Sequence, residues 1–593
     1  MFARIMSATA LSAFALLSLA AEPLGAQARS NAAVADVVLL NGTVLTVDPR
    51  DRTVEGLAIR GRVIVALGSS SEMRSWVGPK TRVIDLAGRT ATPGLIDSHL
   101  HFAEAALDRL LNIDVTYPTV RKISDMRDSI AARARTAKKG NWILGAGWDE
   151  GKLDDRRMPS HFDIDSVSVG NPVWLEHTTG HYGLANREAL ARAGITAKTP
   201  NPPQGIIDRF PDGTPTGVLR EKAQELLTAK IPDATAAQRV RANARFSKAV
   251  LAEGMTAIKE PGIEQRQWRA YQASRARGEL GVRVFVLWSS GLTEAKAAAL
   301  IKEVGAFTKP YEKMPDDHLI SGGVKLFLDG SGGGRTAWVY DDWKKNGNES
   351  DIGNRGFPTA DSLLFRKLIR MYHDAGFHIG THAIGDHAID WIVDSYAQAM
   401  AANPQPNRRH SIIHAVMPTV HAIDVMAELQ RKFDAGYPES SPGFSWWIGD
   451  LYAGNFGAER MARTNPYHTF AAKGVQWAGA SDHPVTPFAA RYGIWSAVAR
   501  ETLLGRYGAT PFGTAEAATV HDALKAYTIW GAHQLFLDAK VGSLEVGKLA
   551  DIAVWDRNPY TIPTAQLKDM KCEMTLVDGR VVFRTAARAD SSR

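Results

Sequence analysis

Eight short apolar runs, most of them followed by a helical stretch, fill the middle of this chain, and that alternation constrains its fold more than any other feature. They are Thr92–Asp97, Met255–Lys259, Val282–Trp288, Gly323–Leu328, His378–Thr381, Ile412–His414, Lys432–Tyr437 and Val475–Ala480. Strands that alternate with helices pair in parallel, because each helix returns the chain along the sheet. Eight such units close into a (β/α)8 TIM barrel, whose catalytic face lies at the C-terminal ends of the strands. Between the first and second runs, about 103–235 is too long for a βα connection and reads as an inserted subdomain.

The two ends follow a different period. Val37–Val47 alternates around Asn41-Gly42, Leu57–Leu67 around Arg60-Gly61, and Met574–Phe583 around Asp578-Gly579. Asn-Gly and Asp-Gly between alternating apolar residues predict two-residue hairpins, since both turn positions need positive φ. The expectation is one composite β-sandwich built from residues 29–90 and 536–593, with the barrel, 91–535, inserted between its halves. A chain of 593 residues is long enough to bury all of these cores.

Ahead of residue 29 stands a leader. Arg4 precedes the uncharged apolar stretch Ile5–Ala20, and Ala26-Gln27-Ala28 supplies a small-x-small cleavage site, so residues 1–28 read as a signal peptide. The mature chain is then periplasmic or secreted. The apolar stretch is shorter than the roughly 20 residues a bilayer span needs, so no membrane insertion is expected after cleavage. Cys572 is the single cysteine, which excludes an intramolecular disulfide. The net charge of +7 is spread without any Lys/Arg run, which argues against a nucleic-acid partner. A small-molecule substrate is the expected partner, and oligomerisation is left open.

Metal-ligand chemistry collects where apolar runs end. The first closes in Asp97-Ser98-His99-Leu100-His101, and residues two apart on a strand face the same way, so His99 and His101 can hold one metal ion together. His382 follows the fifth run, His414 closes the sixth, and Asp482 follows the eighth. Each histidine alone reads equally well as an isolated core or surface residue. Four of them with an aspartate at the same end of successive strands read as a site for zinc or a first-row relative.

The segment from Ala91 through His101, with Thr92-Pro93-Gly94 and His99-Leu100-His101, resembles the opening strand of the amidohydrolase superfamily. The tail from Val541 to Ile552 resembles that superfamily's return into its β-sandwich. Val324–Ser331, His382–Asp386 and His181–Asn186 narrow the likeness to the branch that includes N-substituted formamide deformylases. The resemblance covers nearly the whole mature chain and implies a composite sandwich around a (β/α)8 barrel. It implies a divalent-metal cofactor, one or two zinc ions, with His99 and His101 on the more buried metal and His382 and His414 on the second. It further implies that Asp482 touches metal and acts as general base, and that Lys325 bridges the metals as a carbamate.

The sequence departs from that pattern at Ile413, where related chains carry a glutamate, at Ala480, which replaces a glycine, and over Pro438–Asp450. The expected reaction is hydrolysis of a C–N bond in an amide, N-acyl or cyclic amide by metal-activated water. Two rivals stay open: the same metal site acting on an ester, lactone or phosphotriester, and a non-catalytic exported binding protein. Candidate substrate contacts are His181, Tyr182 and Arg335. Trp148, Trp338 and Trp446, near expected loop ends, hint at an apolar or aromatic substrate. Gly542–Lys548 has phosphate-loop spacing, but Leu549 stands where Ser or Thr must follow.

Overall fold

The computed structural model describes residues 34–312, 316–507 and 510–585. The expected signal peptide, residues 1–28, lies outside them. Among the described residues no helix is long and apolar enough to cross a membrane.

An eight-stranded parallel sheet forms the middle of the chain. Its strands are Leu95–Asp97, Met255–Ile263, Arg283–Ser289, Leu319–Phe327, His378–Ala383, Ser411–His414, Tyr437–Ser440 and Ala478–Gly479, each paired with its sequence neighbour. Ser98 closes the ring by donating its backbone N–H to the Gly479 carbonyl at 2.9 Å. The result is a TIM barrel. Its floor is packed with Ile96, Ala257, Phe285, Leu287, Ile320 and Ile413, so the interior is a core and not a pore.

Two strands differ from the expectation. The run Thr92–Asp97 is split at Gly94, with Thr90–Pro93 pairing antiparallel to Ile552–Trp555 of the sandwich and Leu95–Asp97 entering the barrel. A Cβ on Gly94 would lie 2.3 Å from Thr256, so only glycine lets the two sheets meet there. The seventh strand is Tyr437–Ser440, not Lys432–Tyr437. Arg431 and Lys432 instead finish the helix Val420–Phe433, where positive charge suits the carbonyl end, and Asp434 caps it with φ +51. That shift brings Glu439 into the barrel.

The termini build two sheets. One contains Val37–Leu40, Gly56–Arg60, Val63–Gly68 and Arg82–Asp85; the other joins Thr43–Leu45, Thr53–Val54 and Thr90–Pro93 to three strands from the C-terminal end. Gly61-Arg62, one residue past the expected Arg60-Gly61, and Asp578-Gly579 turn antiparallel hairpins, the latter with φ +52 and +72. Asn41-Gly42 does not. It passes the chain from one sheet to the other, because Val37–Leu40 pairs with Gly56–Arg60 while Thr43–Leu45 pairs with Thr53–Val54. Arg283, at the start of the third barrel strand, anchors the sandwich through Asp551 at 2.7 Å.

In the inserted segment, the helix Phe102–Leu111 packs on the barrel helix Ala236–Ala252, with the Phe102 and Phe246 rings 4.8 Å apart. Six further strands, Ile113–Asp114 through Pro215–Glu221, form a separate mixed sheet. Its strand ends roof the barrel mouth, and a cavity of about 400 Å³ lies between them.

Candidate metal centre

His99 and His101 lie just past the end of the first strand, not on it, since the strand stops at Asp97. Their orientation comes from cross-links to the loop after the eighth strand. Asp97 Oδ1 accepts the backbone N–H of both His99, at 3.0 Å, and Ser481, at 3.1 Å. Asp482 donates its N–H to the His99 carbonyl at 2.7 Å, and His101 donates its own to the His483 carbonyl at 3.0 Å. The carboxylate of Asp482 thereby reaches His99 Nε2 at 3.3 Å and His101 Nε2 at 3.2 Å.

His414 joins from the sixth strand, with Nε2 3.8 Å from Asp482 Oδ2 and Nδ1 3.1 Å from Ser441 Oγ. His382, closing the fifth strand, donates Nε2–H to the Gly330 carbonyl at 2.9 Å, so Nδ1 is its unprotonated nitrogen. The His99 and His414 rings are 5.1 Å apart, and those of His382 and His414 4.8 Å. Lys325 Nζ sits 3.2 Å from His99 Nε2. All five sequence-predicted protein ligands and Lys325 thus meet at one point of the barrel mouth.

Burial first, and then neighbouring cationic groups, hold His99, His382 and His414 well below the ordinary imidazole value. Their rings are neutral at physiological pH and offer lone pairs. For His101, burial pulls downward but the hydrogen bond to Asp482 prevails and the value is raised. Burial pushes Lys325 down to about 7. Asp482 has φ +55 and His414 φ +73, left-handed conformations that cost a non-glycine residue on the order of 1–3 kcal/mol. Such strain persists where the surroundings over-determine a side chain's direction.

The cavity above these residues is lined by His101, Lys325, His382, His414 and Asp482 on the barrel side. His181 lines the other side, with Nδ1 2.9 Å from Glu221 Oε2 and its ring 5.5 Å from that of His382. Tyr182 does not reach the cavity. It is fully buried, and its hydroxyl donates to Glu150 at 2.8 Å beside His177 Nε2. Arg335 also stands outside the lining, ion-paired to Asp351 at 3.0 Å. None of Trp148, Trp338 and Trp446 lines the cavity. Trp148 is in the core of the inserted sheet and donates to the Leu175 carbonyl, and the aromatic side chain that does line the cavity is Phe327.

Sequence reasoning passed over several residues that shape the site. Asp329 accepts N–H groups from Ile384, Gly385 and Trp338, and so fixes the turn that carries His382; burial pushes its carboxyl up to about 7. Asp97 is pushed to the same value by the same cause. Each carboxyl follows an apolar strand inside a quoted motif, a signal that was present. Glu439 could not be found, because the seventh strand was placed too early.

The amidohydrolase family model matches residues 82–583. This chain belongs to the amidohydrolase family. It is a metal-dependent hydrolase of carbon–nitrogen bonds. Protein LONG AFTER FAR-RED 3 of Arabidopsis thaliana is 30% identical over 89% of this chain and 88% of its own length. N-substituted formamide deformylase of Arthrobacter pascens is 28% identical over 92% of this chain and 97% of its own. The crystal structure of an uncharacterized metal-dependent hydrolase from Pyrococcus horikoshii superposes with a TM-score of 0.68 at 22% identity, covering 89% of this chain and 99% of that one. That last likeness is one of fold.

Proposed function

We propose that this amidohydrolase is exported and hydrolyses an amide, N-acyl or cyclic amide bond with zinc held by His99, His101, His382, His414 and Asp482. The observation that carries the reading is the convergence of those side chains at the barrel mouth: His101, His382, His414 and Asp482 line one cavity of about 400 Å³, and His99 is buried just behind them, 3.3 Å from Asp482. The donor set fits a divalent metal: four imidazoles, three of them held neutral by burial, one carboxylate, and an opening for substrate. Bound metal supplies the charge that lowers the pKa of a water molecule from about 15.7 toward about 7.

The chain's own groups carry the rest. Asp482 stands 3.2–3.3 Å from both His99 and His101 and takes the proton released by water as its oxygen bonds to the carbonyl carbon. It returns that proton to the nitrogen as the C–N bond breaks, which makes an amine a workable leaving group. His181, held at Nδ1 by Glu221, has Nε2 available to orient the substrate. Lys325, its pKa lowered by burial to about 7, is in part the free amine that adds to carbon dioxide with loss of a proton, and the resulting carbamate would offer oxygen ligands to the metal. The cavity wall offers both polar contacts, from Glu104, Glu176 and Glu225, and apolar ones, from Leu292, Phe327 and Val485.

The deciding experiment is zinc content by elemental analysis, followed by turnover of N-formyl, N-acyl and cyclic amides beside matched esters and lactones. Two zinc ions per chain and turnover of amides, lowered by about 10²- to 10⁴-fold in Asp482→Asn, are expected. Turnover confined to the esters, or no metal after reconstitution, overturns the reading. Export is tested by the mass of the chain recovered outside the cytoplasm, which should begin at residue 29.

A further inference from the structure

Beneath the candidate metal centre, the barrel floor holds charge that the proposed reaction does not use. Lys259, His378 and Glu439 are each 0% exposed and come from the second, fifth and seventh strands. His378 donates Nδ1–H to the Arg408 carbonyl at 3.0 Å, which leaves Nε2 to accept from Lys259 Nζ at 2.9 Å. Lys259 also donates to Glu439 Oε1. These bonds fix the carboxylate by one oxygen and leave the other free.

That other oxygen, Glu439 Oε2, has no hydrogen-bond partner among the described residues, and neither does His99 Nδ1. The two orphaned atoms face each other at 3.9 Å. The gap is about 1 Å longer than an N–H···O hydrogen bond, and both residues are shut off from water. Burying an ion pair among Phe285, Leu287 and Ile413 is costly, and packed apolar side chains would serve stability at least as well. The carboxylate therefore has a role beyond holding the barrel together.

We propose that Glu439 is a positioning residue for the metal centre: Oε2 accepts Nδ1–H of His99 and so fixes the tautomer in which Nε2 carries the lone pair. Nε2 is the nitrogen turned toward Asp482 and Lys325. Lys259 and His378 set the direction of the carboxylate by occupying Oε1. Outer partners of this kind orient a ligating imidazole, and their loss typically weakens metal binding by about 10- to 100-fold. The proposal rests on the reading of His99 as a zinc ligand.

Glutamine at 439 separates this role from mere packing. In Glu439→Gln, Lys259 holds the amide oxygen, so the amide NH2 faces His99 Nδ1 and favours the opposite tautomer. Zinc affinity, measured by chelator competition on the folded protein, should fall about 10- to 100-fold. In Lys259→Met/Glu439→Gln the amide is free to rotate, its oxygen can face His99, and part of the affinity should return. A structural role predicts the reverse, since the double variant removes more of the buried network. Wild-type affinity in Glu439→Gln, or a double variant weaker than the single one, overturns the proposal.

His99→Ala, measured in parallel, tests the underlying reading. Full zinc binding in that variant removes His99 as a ligand, whereas loss there with no loss in Glu439→Gln removes only the positioning role. If Glu439→Gln does not fold, nitrogen-15 histidine spectra of the zinc-loaded wild type decide the matter. His99 should be protonated at Nδ1, and protonation at Nε2 overturns the proposal.

Discussion

Two groups of imidazoles and carboxylates bring their donor atoms within 4.8 Å of one another: His99, His101 and Asp482 at the barrel mouth, and Asp149, Glu150 and His177 in the inserted segment. The first offers two imidazoles and one carboxylate, the second one imidazole and two carboxylates. They differ in what their polar atoms already do. His177 Nδ1 is 2.9 Å from Thr179 Oγ1, and its Nε2 is 2.9 Å from the Tyr182 hydroxyl and 3.1 Å from Glu150. Asp149 accepts the Gly151 N–H at 2.8 Å and has the ammonium of Lys152 at 3.0 Å. This second group has a cation of its own and few lone pairs to spare. The barrel group opens on the cavity with its ring nitrogens turned inward. Proximity of ligand types does not make a metal centre; unspent lone pairs facing an accessible space do.

That contrast breaks most readily at the barrel group. His99→Ala should reduce bound zinc sharply and abolish turnover, and Asp482→Asn should lower the rate by about 10²- to 10⁴-fold, the usual weight of a general base. Elemental analysis and steady-state rates check both. Full zinc occupancy after His99→Ala would remove His99 as a ligand, and loss of zinc in His177→Ala instead would move the metal to the inserted group and reverse the comparison.

Glu150→Gln should leave zinc content unchanged and cost stability, about 1–3 kcal/mol for a disrupted charged hydrogen bond. Burial works to raise the Glu150 carboxyl, but His177 and Tyr182 outweigh it and hold the value below the ordinary one. A carboxylate depressed in the folded state stabilises above its unfolded pKa and loses that contribution as pH falls through the folded value. The stability gap between wild type and Glu150→Gln should therefore be full at pH 7 and narrow progressively below about pH 4.5. Urea unfolding at several pH values measures it. A gap that widens with acid would show that the group is not held as its carboxylate.

Tyr182→Phe should show the smallest effect, a loss of about 1 kcal/mol with kcat and KM unchanged, because its hydroxyl bonds within the inserted group and not into the cavity. A raised KM would return Tyr182 to the substrate site. Equal KM shifts for Tyr182→Phe and His181→Asn would erase the distinction drawn between a residue behind the wall and one in it.

Much of the candidate barrel site was legible because its candidate ligands sit where apolar runs stop. His99, His101, His382, His414 and Asp482 all follow that rule, which reflects how a parallel barrel exposes its strand ends. Tyr182 and Arg335 were misplaced for the complementary reason. Residues on an inserted sheet or a long loop have directions set by distant partners, here Glu150 and Asp351. Asn41-Gly42 has hairpin chemistry, yet its flanking strands found other neighbours, since pairing depends on which edges the fold leaves available. Trp148 went to a core, and Trp338 and Trp446 pack half-buried against one, where aromatic area is removed from water.

By itself, the sequence determined the alternation of strand and helix, the hairpins around Gly61 and Asp578-Gly579, and the residue types at the strand ends. All of these are local, written in period and in turn chemistry over a few neighbouring residues. Only the tertiary structure decided that Asp97 would clamp the first and eighth strand loops, and that Glu439 would lie opposite His99. It also decided that Asp149, Glu150 and His177 would satisfy one another. Those outcomes join residues up to 384 positions apart, and which donor meets which acceptor is settled only when the barrel closes.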